Sequence, residues 1–511
     1  MHAGEPELAR ACYEHAIELN PQLGDAHFNL GATYQAQGLH HLALPHYERG
    51  VTLMPDPSVY IGNVLNTKMR ICDWNGLDEL MAQIESRVVA GQKTCPPFQV
   101  VSFSGSADVH EKAAQLWVGA ISVLAWQPLI PRLKLANEKI RIAYFSADFQ
   151  THPVSYLAVE MFELHDKSQF EIVAFSNGHA SANDLYRSRI TAAFDSFIDI
   201  RAMSDEEVIH LARQMEIDIA VDLTGLTQGG RIGILMARVA PVQVQYLGYP
   251  GTTSAVNIDY MIADETLVPP VLQPHCSEKM LYLPHCFQVS DSHRAPASIA
   301  PNKASFGLPA GAFVFCSFCN TYKITPVVFD CWMRILQAVP NSILLLGGHT
   351  EVAQDNLRHA AKVRDIDIAR LFFGARLQAA DYLARYTACD LFLDTAPFTA
   401  GSTANDVLRM GLPLLTLAGE TISGRMAASL LHTLNLDELI TDNWNEYETL
   451  AIALATQPER YRAIKQRLHE QINISPLFNT AQTTRAIEHG YRMALDRYWQ
   501  GLTPDHLYVP A

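Results

Sequence analysis

The sequence has little positive charge and no long apolar run, and each shortage excludes a class of protein. Lys and Arg number 38 against 53 Asp and Glu, which leaves a formal net charge of −15. This balance excludes a non-specific nucleic-acid binder, which needs a basic surface. We find no apolar run of membrane-spanning length and no signal peptide. We therefore expect a cytoplasmic protein that does not engage a membrane.

Metal-binding and phosphate-loop motifs are also missing. Among nine cysteines, only Cys316 and Cys319 form a CxxC pair. A lone pair is a weak zinc signal, and buried thiols in a strand explain it more simply. No aspartate cluster has a convincing metal-ligand spacing, so we expect no metal site. The absence of GxxxxGK[ST] excludes a P-loop nucleotidase.

The first 55 residues contain an internal repeat of 34 residues. Small, aromatic and proline positions recur at this offset, with Ala9, Tyr13, Ala16 and Pro21 reappearing as Ala43, Tyr47, Gly50 and Pro55. The pattern resembles the tetratricopeptide repeat, and residues 1–55 hold about one and a half repeats. Because so few repeats rarely stand alone, they form either a helical cap on the rest of the chain or a docking surface for a peptide or partner.

Beyond a helical connector over residues 56–136, β-rich runs alternate with helical stretches in two successive units. The first unit, residues 137–300, contains IRIAYFSAD, FEIVAFSN, SFIDI, IDIAVDLTG and VQVQYLGYPG. The second, residues 301–511, contains FVFCSFC, SILLLGG, ARLFFG, CDLFLD and GLPLLTLAG before a helical tail. The alternation predicts an α/β fold with a doubly wound, Rossmann-like sheet in each unit. Two such domains facing a cleft are typical of GT-B glycosyltransferases, and also of some epimerases and periplasmic binding proteins.

Ligands of open α/β sheets bind beyond the carboxyl ends of the strands, so we searched the segments that follow them. In the first unit, His152 precedes a helix that opens with Pro153, and an imidazole there can exchange a proton near neutral pH. A helix-capping histidine is the alternative. Gly248, Tyr249 and Pro250 follow another strand, where glycine either lets backbone N–H groups approach a ligand or only forms a turn.

In the second unit, Lys323 lies between a buried strand and a helix, where it either reaches a phosphate or stays solvated. Ser402 and Thr403 stand at the predicted start of a later helix, and hydroxyls and free N–H groups at a helix start bind anionic oxygen. Asp406, one turn further, could accept hydrogen bonds from ribose hydroxyls. A capping motif without a ligand is the alternative.

Taken together, these segments resemble the O-linked N-acetylglucosamine transferase family, glycosyltransferase family 41, in its bacterial branch with tetratricopeptide repeats. The matching strings run in order from about residue 71 to 480: ICDW, SADFQTHP, VQVQYLGYPGT, EKMLYLPH, NTYKITP, PNSILLL, LDTAPFTAGSTANDVL, GLPLLTLAGETISGRMAASLL and SPLFNT. They cover most of the chain and are specific.

The resemblance implies an inverting hexosyltransferase that moves N-acetylglucosamine from UDP-GlcNAc to Ser or Thr hydroxyls of a protein or peptide, without a metal or other cofactor. Carried over by motif, His152 is the active-site histidine and Lys323 the lysine that holds the diphosphate. The resemblance assigns the rest of the donor site to Asn320 near the phosphate, Ser402 and Thr403 at the phosphate, Asp406 at the ribose, Leu377, Tyr382 and Arg385 at the uracil, and Gly248, Tyr249 and Pro250 at the sugar.

The chain also departs from the family. Gly401 and Tyr382 stand where animal members carry histidines, the large insert between the animal lobes is absent, and the repeat array is nearly missing. Three functions stay open: transfer to Ser or Thr, transfer to another acceptor such as protein Asn or a glycan, and a scaffold that binds a nucleotide sugar without turnover. The sequence does not indicate the oligomeric state.

Overall fold

The computed structural model of the protein describes residues 6–56, 60–122, 129, 138–297 and 302–511. Its first part is helical. The helices are α1 (Pro6–Leu19), α2 (Gly24–Ala36), α3 (His40–Leu53), α4 (Ile61–Ile71), α5 (Leu77–Val89), α6 (Pro97–Phe103) and α7 (Ala107–Val118). None of the helices within the described ranges combines the length and apolar character that crossing a membrane requires.

Close contact between α2 and α3 explains the small and aromatic residues of the repeat. Tyr47 is fully buried, and a Cβ placed on Gly31 would lie 2.8 Å from the Tyr47 ring. Only glycine at position 31 therefore lets the two helices pack this closely. Tyr47 and Ala43 share a small core with Val64 and Ile71 of α4, so the repeat segment packs on the helices that follow it.

The helical segment in turn rests on both α/β domains. The Thr321 hydroxyl donates to the Arg70 carbonyl at 2.8 Å, and the Asn356 amide donates to the Ile71 carbonyl at 2.8 Å. On the other side, Glu111 of α7 lies 3.3 Å from the His275 ring. These contacts show a cap packed on the domains, while docking of a partner on the repeats stays a prediction.

The first α/β domain is built on an eight-stranded parallel sheet. Its elements in the first unit are β1 (Ile140–Ser146), α8 (Pro153–Leu164), β2 (Phe170–Ser176), α9 (Leu185–Ala193), β3 (Ser196–Asp199), α10 (Asp205–Gln214), β4 (Ile219–Asp222), α11 (Ile232–Met236), β5 (Val242–Gln245), β6 (Tyr260–Ala263) and β7 (Lys279–Tyr282). Helices cover both faces, so strands such as β4 are buried along their whole length.

The second α/β domain is built on a six-stranded parallel sheet. Its elements are β8 (Phe313–Ser317), α12 (Pro326–Ala338), β9 (Ser342–Leu346), α13 (Glu351–Val363), β10 (Leu371–Phe373), α14 (Ala379–Ala384), β11 (Leu391–Leu393), α15 (Ser402–Arg409), β12 (Leu414–Leu417), α16 (Met426–Thr433), β13 (Ile440–Thr441), α17 (Trp444–Thr456) and α18 (Pro458–Ile472). The predicted architecture of two doubly wound domains behind a helical segment is confirmed.

The end of the chain returns to the first domain. Helix α19 (Thr480–Trp499) leads to β14 (Leu507–Tyr508), which pairs with β7 at the edge of the first sheet. Ile487, Tyr491 and Leu495 of α19 are buried in the same core as β1 and β2. The range 301–511 predicted for the second domain therefore contains elements that pack in the first one, and the other predicted boundaries stay predictions.

Candidate functional site

Both sheets share one strand order, which locates the crevice in each. The first sheet runs β14-β7-β6-β5-β4-β1-β2-β3 and the second β10-β9-β8-β11-β12-β13. In each, the chain leaves the two central strands, β1 and β4 or β8 and β11, in opposite directions. Such a topological switch point opens a crevice at the strands' carboxyl ends. His152 follows β1, Lys323 follows β8 and Ser402 follows β11, so three predicted site residues lie beside these crevices.

His152 is the N-cap of α8, and its ring is partly open to solvent. Its Nδ1 accepts a hydrogen bond from the Val154 amide at 3.4 Å and lies 3.5 Å from Oδ1 of Asp148. The side chain is 40% exposed, yet burial still lowers the pKa of the imidazole from its usual value. Nδ1 thus faces the protein as an acceptor, and the neutral ring is favoured. A neutral imidazole can accept a proton from a bound hydroxyl.

Two buried carboxyls, Asp148 and Asp222, lie near each other at this end of the sheet, and Asp148 contacts His152. Burial, with the nearby charge of Asp222, raises the pKa of Asp148 to about 7. Asp222 accepts hydrogen bonds from the amides of Thr224 and Gly225 at 2.9 and 3.0 Å. Asp148 itself lies in the turn between β1 and α8. Its position two residues after β1 was the one signal available for a role beside the histidine.

The predicted sugar-side residues follow β5 and pack against the loop after β4. A Cβ on Gly248 would lie 1.9 Å from the Leu223 carbonyl oxygen, so this position needs glycine for packing alone. Tyr249 is buried, and its hydroxyl has no hydrogen-bond partner among the described residues. Pro250 is half-buried. The structure thus explains Gly248 without a ligand and leaves a polar atom of Tyr249 unsatisfied.

Lys323 and the loop before α15 are brought together across the second switch point. The Lys323 ammonium donates to the Thr399 carbonyl at 2.9 Å and lies 3.5 Å from the centre of the Phe398 ring. The side chain is 9% exposed, and burial lowers its pKa. A buried cation with one carbonyl partner gains from an anionic ligand. Asn320, also predicted near the phosphate, is exposed three residues earlier.

Asp394 fixes the course of this loop. One carboxylate oxygen accepts from the amides of Thr395 and Ala400 at 2.8 and 2.9 Å, and the other accepts from the Thr416 hydroxyl at 2.8 Å. Burial raises the pKa of Asp394 to about 6. The sequence marked Asp394 only as the end of a strand. In the structure, its hydrogen bonds hold the loop that leads into α15.

Helix α15 begins at Ser402, in agreement with the predicted helix start. Its N-cap is Gly401, which offers no side-chain cap, so the first-turn amides keep their hydrogen-bonding capacity. Ser402 and Thr403 are half-buried at this end. A Cβ on Gly401 would lie 3.3 Å from the sulfur of Met426. A larger side chain there would therefore displace Met426.

Asp406 is 5% exposed and is already paired. Both of its oxygens accept from the Arg294 guanidinium, Oδ2 from Nη2 at 3.2 Å and Oδ1 from Nη1. Burial raises the pKa of Asp406 to about 6, and Arg294 opposes the rise. No motif in the sequence singled out Arg294, which lies between β7 and β8, in the polar segment that links the two domains.

The residues predicted at the uracil form an aromatic and cationic cluster. The Arg385 guanidinium lies 3.6 Å from the centre of the Phe318 ring and 4.9 Å from that of Tyr382. Arg385 is buried, and its Nε has no partner among the described residues. The Tyr382 and Tyr386 hydroxyls are 2.7 Å apart. Leu377 is half-buried in the loop between β10 and α14.

The same cluster lies close to Asp406. Burial raises the pKa of the Tyr382 phenol, and the charge of Asp406 adds to this effect. The residues predicted for the base and the ribose are therefore electrostatic neighbours, although the sequence separates them. Flat rings, a cation and a carboxylate side by side suit a nucleoside.

One group of side chains in the described part of the chain has a spacing suited to a metal ion. It comprises Glu160, Asp291 and His293. Its carboxylates already have partners, because Ser292 donates to Glu160 at 2.6 Å through its amide and Arg189 donates to Asp291 at 2.7 Å. The prediction of no metal site stays a prediction.

Comparison with known proteins identifies the family. The model of glycosyl transferase family 41 matches residues 71–302 and 294–487. The chain belongs to glycosyl transferase family 41. A tetratricopeptide-repeat model matches residues 2–38, as the 34-residue repeat predicted.

Two plant relatives and one solved structure show how far the similarity extends. The chain is 29% identical over 468 residues to the probable UDP-N-acetylglucosamine–peptide N-acetylglucosaminyltransferase SEC of Arabidopsis thaliana, covering 87% of this chain and 48% of the relative. It is 32% identical to the SPINDLY protein of Petunia hybrida, which carries the same probable activity, over 72% of this chain and 40% of the relative. A mutant O-GlcNAc transferase from Thermobaculum terrenum superposes with a TM-score of 0.78 at 25% identity, covering 96% of this chain and 95% of that one. The chain spans about half the length, or less, of these curated relatives.

Proposed function

We propose that the protein transfers N-acetylglucosamine from UDP-GlcNAc to Ser or Thr hydroxyls of a protein or peptide, with inversion and without a metal ion. The observation that carries the proposal is the pairing of buried Lys323 with the loop that opens into α15. An ammonium group and a helix N-terminus in the same crevice form a suitable binding site for a diphosphate. The names of the relatives agree with this donor and acceptor.

In the proposed reaction, the acceptor oxygen attacks the anomeric carbon as the bond from that carbon to the diphosphate oxygen breaks. UDP leaves with the bonding electron pair. The Lys323 ammonium and the first-turn amides of α15 stabilise the negative charge that UDP gains. One displacement inverts the anomeric centre and needs no enzymic nucleophile. The proton of the acceptor hydroxyl passes to His152, directly or through water. Asp406 and Tyr382 would hold the ribose and the uracil.

The test is transfer of labelled N-acetylglucosamine from UDP-GlcNAc to proteins of a cell lysate, with and without a metal chelator. We expect label in protein, unchanged by the chelator and released by mild alkaline elimination, and a β-linked product from the α-linked donor. Label that survives elimination would reject the Ser/Thr linkage in favour of Asn or a glycan. UDP binding without labelled protein or free sugar would support a scaffold, and loss of activity in chelator would reject metal independence.

A further inference from the structure

The linker between the two domains contributes a side chain to the candidate donor site. Although this stretch reads as polar, Gln288, Ser290 and Arg294 are buried. The Arg294 guanidinium reaches Asp406 of α15 through two nitrogens, and it also lies 4.8 Å from the centre of the Tyr156 ring. Tyr156 belongs to α8, the helix that His152 caps. Arg294 therefore connects the carboxylate of one domain with the histidine-bearing helix of the other.

We propose that Arg294 is a positioning residue for the donor nucleotide: it keeps the Asp406 carboxylate ionised and oriented so that this carboxylate can accept the ribose hydroxyls. The inference rests on the proposed function. It assigns Arg294 no contact with the reacting atoms.

The pairing with Arg294 leaves the Asp406 carboxylate with hydrogen-bonding capacity for a ribose. An ionised carboxylate has about four lone-pair sites, and a bidentate guanidinium occupies about one on each oxygen. Each oxygen of Asp406 therefore keeps capacity for one hydroxyl donor, which matches the two adjacent hydroxyls of a ribose. The planar guanidinium also fixes the plane of the carboxylate, so less orientational freedom is lost when the ligand binds.

Arg294 is the cation that decides the charge of Asp406. The charged and titratable groups that act on or face this carboxylate are Arg294, Arg409, Tyr156, Tyr382 and Tyr386. The phenols are neutral, and Arg409 of the same helix donates to the Ser290 hydroxyl. Because burial already raises the pKa of Asp406 to about 6, loss of Arg294 would protonate the carboxyl near neutral pH. A protonated carboxyl accepts fewer hydrogen bonds.

The experiment measures binding of UDP and of 2′-deoxy-UDP at pH 6.5, 7.5 and 8.5. It uses the wild type, Arg294→Met, which keeps the apolar stem, and Arg294→Lys, which keeps the charge. The matched control is Arg238→Met, which also removes a bidentate arginine–aspartate pair, with Asp259, at the amino ends of β5 and β6 in the first domain. The wild type should prefer UDP over the deoxy nucleotide. In Arg294→Met we expect UDP to bind about tenfold more weakly at pH 6.5, with most of that preference lost.

Two features separate positioning from a merely structural role. The defect of Arg294→Met should shrink at pH 8.5, where Asp406 ionises without help, and Arg294→Lys should restore part of the preference at pH 6.5. Arg238→Met should bind like the wild type. Tighter UDP binding in Arg294→Met would show that the guanidinium competes with the ribose, and equal weakening for both nucleotides at every pH would show a structural role; either result overturns the inference. Wild type that binds both nucleotides equally would also overturn it while leaving the proposed function standing, whereas wild type that binds no UDP would reject the proposed function itself.

Discussion

The two domains share one strand order but place opposite chemistry at their switch points. In the first domain, two carboxyls and an imidazole lie at the carboxyl ends of β1 and β4, namely those of Asp148, Asp222 and His152. In the second, Lys323 and the open amide end of α15 gather beyond β8 and β11. The groups of the first crevice can move a proton, and those of the second can hold an anion. A transferase needs both, because it must deprotonate an acceptor and stabilise a leaving group.

The difference also concerns how each buried carboxyl is used. Asp148 and Asp394 both follow central strands, and burial raises the pKa of both. Asp394 receives three hydrogen bonds that shape its loop, whereas the side-chain contact described for Asp148 is His152 at 3.5 Å. The hydrogen bonds of the carboxyl in the second domain fit a structural role, whereas the carboxyl in the first domain contacts the candidate proton acceptor.

The largest effect should come from the crevice of the second domain, which contains Lys323. Lys323→Met removes the buried cation, so we expect transfer to fall by about 10²–10³-fold, because a preorganised charge at a leaving group contributes on that scale. UDP affinity should fall by about tenfold, since the same charge contacts the bound diphosphate. Steady-state kinetics and a UDP titration check both.

The control for Lys323→Met is Lys362→Ala, which removes an exposed lysine of α13 and should change neither quantity. Unchanged UDP affinity in Lys323→Met would contradict the assignment of the diphosphate to the second domain. It would also remove the basis for calling the two crevices opposite.

The sequence predicts those parts of the two domains that neighbouring residues determine, and it misses those that depend on distant parts of the chain. Strands such as β9 are buried on both faces and therefore appear as continuous apolar runs, which is why the alternation predicted both sheets. β13 and β14 have two residues each, too few for a pattern. β14 is defined by a partner strand far earlier in the chain, and no local signal predicts such pairing.

The residues of the candidate site also fall into those that local sequence indicates and those that only the tertiary structure reveals. His152, Lys323 and Ser402 could be found because each follows a strand and lies at or just before the start of the next helix, which are properties of neighbouring residues. Arg294 could not, because an arginine in a polar linker looks solvated until the two domains close over it. The position of Asp406 one turn into a helix and the family resemblance both indicated its role but not its partner, since the pair joins residues that only the tertiary structure brings together.

A smaller effect should come from the crevice of the first domain, which contains His152. His152→Ala should lower kcat by about 10²-fold, the usual contribution of a positioned base, with little change in the KM for UDP-GlcNAc. The imidazole must be neutral to accept a proton, and burial lowers its pKa below 6.5. The wild-type rate should therefore rise with pH through a value below 6.5, and this limb should vanish in His152→Ala. A tenfold rise in donor KM with kcat unchanged would place His152 on the donor side and undo the division of labour between the domains.

The smallest effect should be a difference in thermal stability between variants of the two buried carboxyls, Asp148 and Asp394. A raised native-state pKa means that protonation favours folding: this stabilisation is complete below the unfolded pKa of 3.8 and is lost as pH rises through about 7 for Asp148 and about 6 for Asp394. Asp148→Ala removes a buried charge with few contacts, so its Tm relative to wild type should increase by about 1–3 °C between pH 5 and pH 8. Asp394→Ala leaves the amides of Thr395 and Ala400 without their acceptor, so it should lose about 2 kcal/mol at pH 5. The loss should be smaller at pH 8, because the wild type there carries the cost of an ionised, buried Asp394 that the variant lacks. Thermal unfolding at the two pH values checks the pair. If both variants respond alike, the carboxyls play one role, and the contrast between the crevices rests on Lys323 and His152 alone.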